Sequence, residues 1–92
     1  KTGESKEAQQ IHGHMAMMQQ KMDKYHASKD QKERAKLRGE LYADMRDHMK
    51  LMRGPGGDPK KRLETMELRM DQTHQMMEWM FTFQSDFLVS AP

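Results

Sequence analysis

The stretch Gly54-Pro55-Gly56-Gly57-Asp58-Pro59 divides this chain more firmly than any other feature. Its glycines open backbone conformations that other residues avoid, and Pro55 cannot continue a helix. Asp58 followed by Pro59 is an N-cap with proline in the first turn. One helix must end before the stretch and another begin after it, with a turn at 54–58.

The residues on either side carry the helical period. Downstream, Leu63, Met66, Met70, His74, Met77 and Phe81 recur at three- and four-residue spacings, which predicts a helix over 59–83. Phe83, Phe87, Leu88 and Val89 either extend it by a turn or two or fold back as an apolar tail. Upstream, Leu37, Leu41, Met45, Met49 and Met52 form a second stripe, with Asp44, Arg46, Asp47 and Lys50 as its wet face. Gly39 is costly in that helix, about 1 kcal/mol worse than Ala, and is read as room for a close neighbour. Ile11, Met15, Met18, Met22 and Tyr25 follow a four, three, four, three rhythm, the spacing of a coiled-coil seam.

The stripe lapses between Tyr25 and Leu37. Ser28 with Gln31, or Asp30 with Glu33, can act as a capping box, so either the chain turns there or one long helix runs through a charged segment. The turn is favoured, because a hairpin with one arm almost twice the other leaves a Met stripe uncovered. The expected fold is all-α, a single domain over 1–92: a small antiparallel helical hairpin or three-helix bundle, with helices near 5–27, 31–53 and 59–83. Dimerisation is one way to complete it. An offset of 28 residues lays Asp30 to Arg34 over Asp58 to Arg62 and Met49 over Met77, the trace expected of a duplicated unit.

Composition narrows the function. Ninety-two residues allow one small core and no deep substrate cleft, and no catalytic or phosphate-loop motif occurs, so an enzyme is not expected. Sixteen basic residues interleave with fourteen acidic ones, which argues against nucleic acid as a partner. No apolar run is long enough for stable membrane insertion, and the acids among Lys21, Lys24, Lys29 and Lys32 weaken the reading as a membrane-surface helix. With no cysteine, disulfides and thiolate sites are excluded, whereas twelve methionines are an abundance to be explained.

Thioether sulfur is a soft donor suited to Cu(I) and Ag(I), and imidazole extends the range to Cu(II) and Zn. A helix sets residues three and four apart on one face. His14, Met18, Met22 and His26 thus form one donor ladder, Met45, His48, Met49 and Met52 a second, and Met66, Met70, His74 and Met77 a third, with Met80 as an extension. If the Gly-Pro turn makes the last two helices antiparallel, Met45 falls opposite Met70 and Met49 opposite Met66. Any one of these methionines is equally well a core residue, since Met packs irregular space. Adjacent pairs at 17–18 and 76–77 cannot both face one core, so Met17 and Met76 are expected to be partly exposed, beside His14 and His74.

The segment SKDQKERAKLRGELYADMRDHMKLM, with HMAMMQQKM before it and HQMMEWM after it, resembles the Met- and His-rich secreted helical proteins of Gram-negative bacteria associated with metal resistance. More distantly it resembles the Spy and CpxP group of periplasmic helical proteins, although their LTxxQ motif is absent. The resemblance covers about His12 to Met80. It implies a periplasmic or cell-envelope protein concerned with metal tolerance or trafficking. The chain opens at Lys1 without an initiator Met or a leader, the form expected after removal of an N-terminal signal or anchor. The expected cofactor is copper, Cu(I) first, or silver, and the expected partners are metal ions, a second copy of the chain and a metal-transport protein. The alternative is a metal-independent holdase-like chaperone or peptide-binding module whose Met-rich surface repacks around apolar clients, with Trp79, Phe81, Phe83 and Phe87 as its sticky end.

Overall fold

The structure, a computed structural model, describes residues 6–53 and 59–90. It is a three-helix, all-α bundle: α1 Lys6–Ala27, α2 Gln31–Arg53 and α3 Pro59–Ser90, with no strand among the described residues. The Gly-Pro turn at 54–58 and the Asp58 cap lie outside them. The break after Tyr25 is a turn, so the long-armed hairpin is excluded. Ser28 Oγ accepts from the Asp30 amide at 3.2 Å, and Asp30 Oδ1 accepts from the Lys32 amide at 3.1 Å. Asp30 is thus the N-cap of α2, the second of the two capping registers open to the sequence.

Packing of α1 follows its rhythm: Ile11, Met18, Met22 and Tyr25 are buried, with Met15 and Met17 partly buried against them. On α2 the buried set is Leu37, Leu41, Met45, His48 and Met52, so His48 takes the place expected for Met49, which is exposed. The helical angle explains the exchange. At about 100° per residue, Met49 lies roughly 120° from Leu37 around the helix whereas His48 lies within about 20° of it.

The third helix overturns its expected face. Leu63, Met66, Met70, Met77 and Phe81 are exposed, while Gln72, Met76, Trp79 and Phe83 are buried against α1 and α2. Met76, expected to be partly exposed, is 3 % exposed. Consequently Met45 and Met49 do not face Met70 and Met66. Two apolar stripes share this helix, and the stripe holding the indole and a phenyl ring goes inward. Each stripe carries a phenyl ring, Phe83 on one and Phe81 on the other, so the difference lies in the Trp79 indole, one of the aromatics that bury about 150–250 Å² each, and in the ring partners that Phe83 finds inside. Phe83 meets Tyr25 edge-on at 5.0 Å between ring centroids and Tyr42 at 5.4 Å.

Helix α3 continues through the former tail because its end is tied down. Asp86 Oδ2 accepts from the Tyr25 hydroxyl and from Arg34 Nη2, both at 2.8 Å. Arg34 Nη1 also donates to the carbonyls of Tyr25, at 2.9 Å, and Ser28, at 3.0 Å, and its guanidinium stacks on the Tyr25 ring. One cation thus satisfies carbonyls at the end of α1, where the helix dipole favours it, and grips α3 from the α1–α2 corner. Lys21 joins α1 to α2 through Asp44 at 2.7 Å and Glu40 at 3.6 Å. An alanine Cβ at Gly39 would meet nothing within 4 Å, so this glycine serves no close helix approach.

Candidate soft-metal face and an interhelical histidine pair

The bundle sorts the twelve sequence-designated donors into three environments. Met18, Met22, Met45 and Met52 are core residues with almost no accessible surface. They hold α1 and α2 together, and their sulfurs face other side chains of the core cluster rather than solvent. His26 and Met49 are exposed, with the His26 ring edge-on to Tyr25, and neither forms a ladder with its buried neighbours. The two ladders proposed for α1 and α2 are therefore split between core and solvent. The third is intact.

On α3, Met66, His74 and Met77 are exposed together with Met70, at 51 %, 42 % and 54 % for Met66, Met77 and Met70 respectively. Successive donors are separated by four, four and three residues, which places neighbouring Cβ atoms about 5–6 Å apart on one helix face. Met80 is exposed as well. These thioethers fill no part of the bundle interior, so the core explanation that accounts for the methionines of α1 and α2 does not account for them. Among the described residues, no three His, Asp or Glu side chains gather in a way that would hold a metal ion. Glu67, Asp71 and Glu78 are solvated on α3, and the Glu64 side chain lies outside the described residues. A site on this helix would rest on sulfur and one imidazole.

Packing also unites two candidates that the sequence had put on different ladders. His14 of α1 and His48 of α2 meet edge to edge, with their ring planes 8° apart and centroids 5.0 Å apart, and their Nδ1 atoms are 2.9 Å apart. His48 Nε2 lies 2.6 Å from Gln72 Oε1, so the pair reaches all three helices. An amide oxygen only accepts, so His48 Nε2 carries the proton. Burial holds the His48 pKa below the ordinary imidazole value, His14 pushes it the same way, and the Gln72 hydrogen bond opposes them. A neutral His48 then has its lone pair on Nδ1, where it accepts from His14 Nδ1. A neutral His14 in this chain keeps its remaining lone pair on Nε2, the form a metal-ligating histidine takes when its other nitrogen is fixed by a hydrogen bond.

Gln72 was the polar residue missed by the sequence reading. It begins the four, three, four series Gln72, Met76, Trp79, Phe83, and the large aromatics at 79 and 83 were the signal that this series, rather than the methionine stripe, faces the core. The Arg34–Asp86–Tyr25 node was missed too, since 52 and 61 residues of sequence separate Asp86 from its partners. No protein-family model matches this chain, and no curated protein or solved structure matches it either.

Proposed function

We propose that this protein binds soft d10 ions, Cu(I) or Ag(I), at the outer face of α3, with Met66, Met70 and Met77 as thioether donors and His74 as the imidazole. The single observation that carries this reading is that the Met/His ladder of a 32-residue helix is turned out of the core while a second apolar stripe does the packing. A thioether stays unprotonated throughout the accessible pH range and is indifferent to hard ions, so a face rich in it favours monovalent copper or silver over Zn. His14 adds a nitrogen donor for Cu(II) away from that face. The role that fits is metal tolerance or trafficking in the cell envelope.

Met to Leu is the informative change because it keeps volume and helix propensity while deleting the donor. Calorimetric titration with Ag(I) should show the triple variant Met66→Leu, Met70→Leu, Met77→Leu losing at least one equivalent. A control carrying Met18→Leu and Met45→Leu, both in the core, should keep the parent stoichiometry. Unchanged binding in the triple variant would refute the assignment.

A second reading has its own observation. Arg38, Tyr42, Phe83, Gln84, Phe87 and Leu88 line an open groove of about 450 Å³. Such a groove suits an apolar segment of an unfolding client, held without metal. Phe83 belongs to the core, so the variant that tests this is Phe87→Ser with Leu88→Ser. Loss of aggregation suppression in a chelator-treated assay would support the reading, and equal protection would dismiss it.

A further inference from the structure

The outer face of α3 has a period of its own. Leu63, Met70 and Met77 are seven residues apart, and Met66, Met80 and Phe87 fall on the alternate seam position of the same heptads. All six are exposed. Phe81 and Leu88 widen the strip on one side, at 60 % and 73 % exposed. Together these side chains present roughly 900 Å² of apolar surface, beyond the 300–600 Å² of the largest patch on a typical monomer. A standard interface takes about 800 Å² from each partner. The strip is thus the right size to be one half of an interface, and its heptad form fits another helix with the same repeat.

We propose that two copies of this chain pair through the outer faces of their α3 helices, antiparallel, about a two-fold axis at the level of residue 75. In that register each seam residue meets one of the alternate kind: Leu63 faces Phe87 of the second copy, Met66 faces Gln84, and Met70 faces Met80. Charge selects the direction. Helix α3 begins with Lys60-Lys61-Arg62 and has no basic residue in its last turn. Parallel pairing would set the two basic starts side by side, whereas antiparallel pairing holds them at opposite ends and also opposes the helix dipoles. The pairing stands on the apolar face and forms without metal. For the soft-ion reading its consequence is that thioethers from two helices converge, Met70 of one copy on Met80 of the other, where a single helix offers donors only in a line.

The test uses the full chain with chelator present. Light scattering and native mass spectrometry at about 50 μM should give a mass twice 10.9 kDa. Met70→Glu with Met77→Glu, at exposed positions, should leave the far-ultraviolet helical signal unchanged and weaken dimerisation by about 100-fold or more, since each places an unpaired charge in the seam. Cysteine pairs then read direction, against a background free of native cysteine. The double variant Met70→Cys, Met80→Cys should form a disulfide-linked dimer on mild oxidation, while each single variant should not. In the antiparallel register position 70 lies about 15 Å from its own copy, beyond disulfide reach. Helical signal lost in the charged variant would be answered by the cysteine pair, which adds no charge. A monomeric parent, or efficient cross-linking by Met70→Cys alone, would overturn the proposal. Neither outcome bears on whether a single α3 binds Ag(I), so the two ideas fail separately.

Discussion

His14 and His48, 34 positions apart in sequence, share a hydrogen bond of 2.9 Å between their Nδ1 atoms. The pair closes α1 on α2, and through Gln72 it reaches α3. Because the buried His48 has its pKa lowered, the unfolded chain binds more protons than the folded one as pH falls through the imidazole range. Stability therefore rises with pH across that window and is lost on acidification below about 6.5, by up to about 1.4 kcal/mol per pH unit. Urea unfolding at pH 7.5 and 5.0 should show this loss, and His48→Gln, which cannot titrate, should reduce it. An equal pH dependence in the variant would assign the loss elsewhere.

The facing of α3 is tested by stability. Phe83→Ala removes a buried ring and should cost about 3–5 kcal/mol, whereas Phe81→Ala, on the outer face, should change the stability of the monomer by less than about 0.5 kcal/mol. The reverse order in chemical denaturation, measured at dilution, would mean that the methionine stripe faces the core.

Asp86 anchors the end of α3 to the α1–α2 corner. Asp86→Ala should destabilise the fold by about 1–3 kcal/mol, since it leaves Arg34 and the Tyr25 hydroxyl without their shared acceptor. Amide exchange should quicken mainly beyond Phe83. Protection unchanged there would show that the node does not hold the last turns.

Gly39 has open space at its missing Cβ. Gly39→Ala should stabilise the protein by about 0.5–1 kcal/mol through helix propensity alone. A loss of stability would point to a contact with a further chain at this position.

Local signals in the sequence were enough for the three helices. Gly-Pro punctuation, the Asp30 cap and the seam rhythm of Ile11 to Tyr25 act over a few residues, and each is legible where it stands. Facing was harder, for a physical reason. Helix α3 bears two apolar stripes, and a period detects a stripe without saying which of two is buried; the decision lies in the Trp79 indole and in the ring partners, Tyr25 and Tyr42, that Phe83 meets on the other helices. The same limit applies to His48, whose place in the core depends on the accumulated helical angle from Leu37 and on a hydrogen-bond acceptor, Gln72, from another helix. Of the candidate donors, the ladder Met66, Met70, His74 and Met77 was legible as a ladder, but its exposure could not be read until α3 was seen to pack by its other side.

Thioethers on the outer face of α3 are proposed to hold a soft ion, and X-ray absorption at the copper edge of the Cu(I)-loaded protein reports the donor atoms themselves. A shell of about two or three sulfur scatterers is expected, persisting from about pH 7 to about pH 5, because thioethers take up no proton in that range. In the triple variant Met66→Leu, Met70→Leu, Met77→Leu this shell should be lost or reduced. A first shell of nitrogen and oxygen alone, disappearing as histidines protonate, would contradict it.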